Sequence, residues 1–367
     1  MNAVDVAIAG AGVVGAACAA EFVSAGLRVA VIEPGAIGGG ATAAGMGHLA
    51  VMDDSEAQFA LTRYSQVLWR ELAERLPVES EYLGCGSLWV AADDEEMEEV
   101  HRKERFYRER NVPVEVLDAQ ALADAEPQLR RGLAGGLRLP DDAVVYSPSV
   151  AKWLLAGAEV VQGRRVVELR EHGVQLDDGS TLAARWTVLA TGAMARTLIP
   201  ELPVKPRKGH LLITDRYPGF LRHQLIELGY LKSAHQADGD SVAFNAQPRR
   251  TGQILIGSSR QYGVADPKVE TQMLNAMLRR AIEYMPALAG LSALRAWTGF
   301  RAATPDKLPL IGLCPEYRNV YLATGHEGLG ISTSLGTARL LADQMLGRES
   351  AIARDPYSPG RPWEAHG

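Results

Sequence analysis

Gly10, Gly12 and Gly15 in "GAGVVG", followed eighteen residues later by Glu33, are the side chains and gaps in this chain whose spacing points most directly to chemistry. A G-x-G-x-x-G turn between a strand and a helix is built to hold the pyrophosphate of a dinucleotide. Gly10 permits the tight turn, Gly12 lets backbone approach the phosphates, and Gly15 lets helix and strand pack closely. The helix then starts at Val13 and Val14, offering free N–H groups and a positive dipole end to the anion. Glu33 is placed to accept from ribose hydroxyls, and its charge disfavours a 2′-phosphate, so the adenosine is expected to be unphosphorylated.

The elements that must position these groups are legible around them. Residues 4–9 read as a strand, 13–25 as a helix capped by Gly26, and 28–33 as a second strand, one βαβ unit. A nicotinamide enzyme would run on into another helix and strand. Here residues 34–50 hold six glycines and five alanines. Backbone lying against a flat, extended ligand is the reading that fits, with N–H groups free for a phosphate or a ring edge. His48 in this stretch has two readings, beside that ring or capping a turn.

Further on, periodicity predicts helices over 55–75 and 95–110 with a strand over 86–92 between them, and a short helix feeding a strand over 146–161. A small meander follows, with Asp178-Gly179 as its hairpin turn, ending in the buried strand "WTVLATG". Strands dominate 206–260, a helix is expected over 267–285, and the last stretch repeats strand, glycine turn, helix. The expected fold class is α/β. A discontinuous Rossmann-like dinucleotide-binding domain (1–80, 141–205 and 306–367) is joined to a mainly antiparallel β-sheet substrate domain with flanking helices (81–140 and 206–305).

Composition narrows the function classes. The chain has 367 residues, 47% of them apolar, and a net charge of −6. That is a globular protein with no basic excess for a nucleic acid. The basic run His101–Arg110 is interrupted by Glu104 and Glu109 and reads as a solvated helix face. Cys18, Cys85 and Cys314 lie far apart, so no metal or iron–sulfur cradle is expected in this chain. No apolar run is long enough to span a bilayer, and the N-terminus lacks the basic region of a signal peptide. The expected location is the cytoplasm, or the periphery of the inner membrane.

Five separated motifs, "GAGVVG…E", "GGGATAAGM", "VLATGA", "GFRAATPDKLPLIG" and "YLATGHEGLGISTSLGTARLLADQML", occur in one order across nearly the whole chain. In this the chain resembles the FAD-dependent D-amino-acid oxidase-like family, which includes glycine oxidase, sarcosine oxidase and D-amino-acid dehydrogenases. Within that family "GMGHLAVMDD" and "GHEGLGI" resemble the flavin subunits of hetero-oligomeric dehydrogenases, notably D-hydroxyproline dehydrogenase. The resemblance implies FAD, held non-covalently, because Gly299 stands where sarcosine oxidase-like members carry the flavin-linking cysteine. Alongside the fingerprint glycines, Val13, Val14 and Glu33, it implies cofactor contacts from Ala41, Thr42, Gly45, Met46, Val166, Thr191 and Gly192. The second glycine turn would add Gly325, Glu327, Gly328, Leu329, Gly330 and Ile331.

It also implies that Arg301 grips the substrate carboxylate, a task to which a planar fork of donors is suited. His326 and Glu327 face either the substrate or solvent. Leu255 stands where sarcosine oxidases carry an oxygen-activating lysine. Asn245 stands near the place of a substrate tyrosine in glycine oxidases, with Tyr230 or Tyr262 as substitutes. The implied reaction is oxidation of a small amino acid, cis-4-hydroxy-D-proline among the candidates, by hydride transfer to flavin N5. Electrons would then pass to partner subunits carrying flavin or iron–sulfur centres. The alternative is a glycine- or sarcosine-type oxidase that uses oxygen and releases peroxide. His48 and His326 join Arg301 as candidate catalytic residues.

Overall fold

The apolar run VDVAIA is buried on both sides, as strands of a covered parallel sheet must be. It forms β1 (Val4–Ala9), and with α1 (Val13–Ser24) and β2 (Val29–Glu33) it completes the βαβ unit. The computed structural model describes residues 3–229 and 239–362. After β2 come α2 (Ala41–Ala44), β3 (His48–Leu49) and α3 (Glu56–Ala73), so the glycine-alanine stretch carries short elements of its own. The chain then leaves through β4 (Ser87–Ala91), α4 (Asp94–Glu109), β5 (Glu115–Asp118) and β6 (Gly135–Leu139). It returns through β7 (Ala143–Val144), β8 (Glu159–Gln162) and the meander β9 (Val166–Arg170), β10 (Gly173–Leu176) and β11 (Thr181–Leu189). A second excursion comprises β12 (Lys205–Arg216), β13 (Gln224–Glu227), β14 (Ser241–Pro248), β15 (Gln253–Arg260), the helix Thr271–Tyr284 and β16 (Ala293–Ala303). Strands β17 (Leu310–Leu313) and β18 (Val320–Thr324) lead into the closing helix, Gly330–Met345.

Two large sheets result. One has the order β17-β18-β11-β1-β2-β8, with the β9–β10 meander hanging from β11. Its central pairs are parallel, and β1 sits between β11 and β2. The chain order reverses at β1, and the crevice beyond its carboxyl end is where open α/β sheets bind ligands. The other sheet, β16-β12-β15-β14-β13-β4-β6-β5, is antiparallel except where β13 meets β4. A main core lies under α1, α3 and the closing helix, where Phe22, Trp69 and Leu341 are sealed from water. Trp69 also donates its indole N–H to Ile331 O at 3.2 Å, fixing the start of the closing helix against α3. Among the described residues no helix is long and apolar enough to cross a membrane.

Helix starts follow local rules. Ser55 accepts from Gln58 N at 3.1 Å ahead of α3, and Asp93 accepts from Glu96 N at 2.9 Å ahead of α4. The helix expected from residue 267 starts only at Thr271. The reason is that Glu270 is tied to the second sheet: its carboxylate pairs with Lys208 Nζ at 2.7 Å and its N–H donates to His210 Nε2 at 3.1 Å.

One buried acid joins distant parts of the chain. Asp142 accepts from Val51 N at 3.2 Å and Gln66 Nε2 at 2.7 Å, and its other oxygen lies 2.5 Å from Ser87 Oγ on β4. Burial outweighs these bonds and raises its carboxyl from 3.8 to about 7. The folded state therefore holds its proton more tightly than the unfolded chain. Stability from this group is complete below the unfolded value and is lost as the pH climbs through about 7. Asp142→Asn keeps a neutral donor and acceptor in place, so urea midpoints of the variant are expected to vary less than wild type between pH 5 and 8. An equal slope in both proteins would sink this assignment.

Candidate functional site

The crevice beyond β1 opens into a cleft of about 2220 Å³ that runs between the two sheets. Ordinary small-molecule pockets are roughly 300–1,000 Å³, so there is room for a long two-part cofactor and a substrate. The expected residues converge on it. Gly10, Gly12, Val13, Val14, Glu33, Ala41, Thr42, Gly45, Met46, His48, Val166, Thr191 and Gly192 line one part. Arg301, His326, Glu327, Gly328, Leu329, Gly330 and Ile331 line another. Gly15 and Gly325 stand behind the wall.

The three fingerprint glycines are required for different reasons. A Cβ on Gly10, where φ is +103°, would lie 2.6 Å from Ala190 O, and one on Gly15 would lie 2.1 Å from Gly10 O. Both positions are filled by the protein itself. A Cβ on Gly12 would meet only Thr42 Oγ1, at 3.2 Å, and would otherwise project toward the cleft. The missing side chain at Gly12 thus leaves open space on the cleft side of the turn. Gly325, at φ +78°, likewise leaves space for Thr304 Cγ2 at 2.6 Å.

Polar groups complete the cradle. Val13 N–H donates to Thr42 Oγ1 at 2.9 Å, and Thr42 O in turn accepts from Ser147 Oγ at 2.9 Å, so the helix start is braced from the side. Glu33 accepts from Ala11 N and Gly35 N, each at 2.8 Å, and keeps lone pairs on both oxygens for hydroxyl donors. Thr191 Oγ1 and His48 Nε2 are buried on the cleft wall with no hydrogen-bond partner among the described residues. Orphaned polar atoms of this kind ask for a ligand. Burial takes His48 down to about 4, so it is a neutral ring at physiological pH. Together these features fit a dinucleotide, and the cleft itself continues past His48 to a far end.

At that far end, Arg301 projects from β16 with its guanidinium over Gly209 of the neighbouring strand β12. A Cβ on Gly209 would lie 2.6 Å from Arg301 Nη1, and one on Gly328 would lie 3.0 Å from Arg301 Cδ. The side chain therefore runs between two glycines and is anchored by Nη1 donating to Ser259 O at 2.9 Å. Burial and the nearby charge of Arg207 lower it to about 10, still fully cationic at neutral pH. Neither Gly209 nor Ser259 was foreseen; an unexplained glycine in the strand "RKGHLL" was the signal available.

Other expectations are refined. His326 is buried and pairs with Thr337 Oγ1 of the closing helix at 3.1 Å, rather than standing in solvent. Burial holds it neutral, at about 4. Glu327, at φ +54°, is half-buried with its side chain turned inward; it forms an ion pair with Arg207, a residue not expected in the site. Asn245 lines the cleft with Nδ2 on Ser258 Oγ at 3.2 Å, and Tyr262 OH lies 3.4 Å from Arg207 Nη1. Tyr230 falls outside the described residues. Leu255 is buried in β15, opposite Ile213. Cys314 is buried in the core beneath the first sheet, where burial pushes its thiol up to about 12.

Comparison with known proteins agrees with this geometry. Residues 5–344 match the family model described as FAD dependent oxidoreductase. The chain is 31% identical to the glycine oxidase of Geobacillus kaustophilus, with 96% of each chain covered. It is 30% identical to that of Pseudomonas putida, covering 97% of this chain and 98% of the relative. Against the crystal structure of the Geobacillus kaustophilus glycine oxidase the TM-score is 0.89, at 30% identity over 99% of this chain and 100% of that one. The L-proline dehydrogenase of P. horikoshii shares the fold, with a TM-score of 0.86 at 22% identity over 98% and 97% of the two chains.

The glycine analysis makes a sharp prediction. Gly12→Val should fold and melt near wild type, because only one protein atom lies in its way, yet bind little flavin. The ratio of flavin absorbance to protein absorbance, read beside a thermal melt, separates this from Gly15→Val, which should fail in both. A yellow, stoichiometric Gly12→Val protein would contradict it.

Proposed function

From the premise that the chain belongs to the family of FAD-dependent oxidoreductases, we propose that it oxidises a small amino acid at its α-carbon to the imino acid. The observation that carries this reading is Arg301: a cationic fork, set between Gly209 and Gly328 on the wall of the cleft. FAD, when bound, supplies the two-electron acceptor for the hydride that leaves the α-carbon. The residues that would hold it are the Gly10–Gly15 turn, Glu33, Thr42, Thr191 and the Gly328–Gly330 turn. Every other contribution comes from positioning.

Arg301 spends one N–H on Ser259 O and keeps the rest of its donors for a carboxylate. Two-point contact with a carboxylate fixes both the place and the tilt of the substrate. Met46, Leu211, Ile226, Leu228 and Phe300 form an apolar side of the cleft that excludes water from the α-carbon. His48 presents a neutral, unpartnered Nε2 to the same space, a hydrogen-bonding group that adds no charge.

Two finer readings follow different observations. Leu255, in place of a lysine, favours an acceptor other than oxygen, which accords with a D-amino-acid dehydrogenase, D-hydroxyproline included, that passes electrons to partner subunits. The glycine oxidases among the relatives favour oxygen as acceptor. Anaerobic bleaching of the flavin by D- and L-amino acids, glycine and the hydroxyproline isomers identifies the substrate. Peroxide release in air then separates the acceptors.

Arg301→Ala is expected to raise KM about a hundredfold or more with flavin content unchanged, since a charge-assisted contact is worth roughly 1.5–3 kcal/mol per bond. Arg301→Lys should recover only part of this, because a point charge cannot reproduce the planar fork. Unaltered kinetics in the alanine variant would take Arg301 out of the site.

A further inference from the structure

The wall that carries Arg301 holds more positive charge than one carboxylate requires. In the β12–β16 ladder Arg207 lies directly across from Arg301, so both side chains leave the same face of the sheet. They splay apart. Arg301 crosses Gly209 toward Ser259, whereas Arg207 turns to Glu327, with Nη2 3.3 Å from Glu327 O and Nη1 3.4 Å from Tyr262 OH. Arg260, at the end of β15, lines the same stretch of cleft. Burial, and then the charges of Arg207 and Arg301, push Arg260 down to about 9.

Two features show that this cluster is arranged toward a ligand. Arg207 Nε and Glu327 Oε2 are both buried without a hydrogen-bond partner among the described residues, though the two side chains pair through their other atoms. An ion pair needed only as a brace would be expected to satisfy these atoms. Three arginines, Arg207, Arg260 and Arg301, share this stretch with one carboxylate, Glu327, leaving an excess of positive charge that bound anions would offset.

Resting on the amino-acid oxidation proposed above, we infer that the preferred substrate carries a second carboxylate, received by Arg207 and Tyr262 with Arg260 beside them while Arg301 holds the first. The substrate class is then the amino dicarboxylic acids, aspartate and glutamate in one of their enantiomers. Their uncharged counterparts, asparagine and glutamine, match them closely in size and shape, so the comparison isolates charge.

The test is anaerobic flavin reduction by the holoenzyme at subsaturating concentrations of D- and L-aspartate, asparagine, glutamate, glutamine, glycine and proline. The expected result is a second-order rate for the reactive acid about tenfold or more above its amide, because hydrogen bonds to a charged group are stronger than those to a neutral one. Arg207→Gln should cut the acid-to-amide ratio by about tenfold. Because this change removes the ion-pair partner of Glu327, Tyr262→Phe, at a residue 47% exposed, provides a milder variant in which the ratio should fall severalfold. Amides or glycine reacting as fast as the acids, or a ratio unmoved in both variants, would overturn the inference while leaving amino-acid oxidation intact. Flavin left oxidised by every compound, and by the hydroxyproline isomers as well, would remove both.

Discussion

The guanidinium of Arg301 lies in a slot faced by the bare α-carbons of Gly209 and Gly328, and much of the surrounding architecture keeps that slot open. Gly209 belongs to β12, the strand paired with the one that carries Arg301. Gly328 belongs to the turn before the closing helix, where φ is +103° and a side chain would be strained in any case. Sheet and helix must therefore meet at a fixed distance for the fork to be aimed at all. Glu327 N–H, which donates to Ala302 O at 2.9 Å, pins that turn to β16 next to Arg301. Trp69 fixes the helix start from the opposite side.

The cofactor end of the cleft follows the same economy with other means. The start of α1 and the start of the closing helix both reach the cleft, at Val13 and Val14 and at Gly330 and Ile331. Two positive dipole ends thus open on one cleft, an arrangement that favours an anionic ligand. Backbone carbonyls that are tied down around them leave little to reorganise on binding. Thr42 is held by Ser147, Met46 O by Gln247 Nε2 at 2.8 Å, and His48 O by Ser332 Oγ at 2.9 Å. Such preorganisation is what lets a site position reactants without large ordering costs.

What could be read from the sequence, and what could not, divides along a physical line. The fingerprint, β1, α1 and β2 are local: each glycine answers to residues within a single βαβ unit, so spacing alone exposes them. The closing strand, turn and helix are legible for the same reason. Gly209 is different, because its purpose is a side chain on another strand that meets it only after β12 and β16 have paired. Arg207 is hidden for a related reason: in "KPRKGH" it looks like a surface cation, and only the ladder shows it facing the cleft. His326 has no sequence cue to its partner Thr337, one face of a helix away. The late start of the helix at Thr271 reflects Glu270 being claimed by Lys208 and His210, tertiary contacts that outweigh local propensity.

Strand β16 is the last of its sheet, bonded on one side only, to β12. Its alignment is consequently set by a single long ladder, from Lys205↔Ala303 to Thr214↔Ala293. Side chains alternate along a strand, so a slip of one residue would turn Arg301 to the opposite face and bring Phe300 or Ala302 to its place. Hydrogen-bond register at an outer edge, usually a matter of solubility, here decides whether the guanidinium proposed to hold the substrate faces the cleft at all.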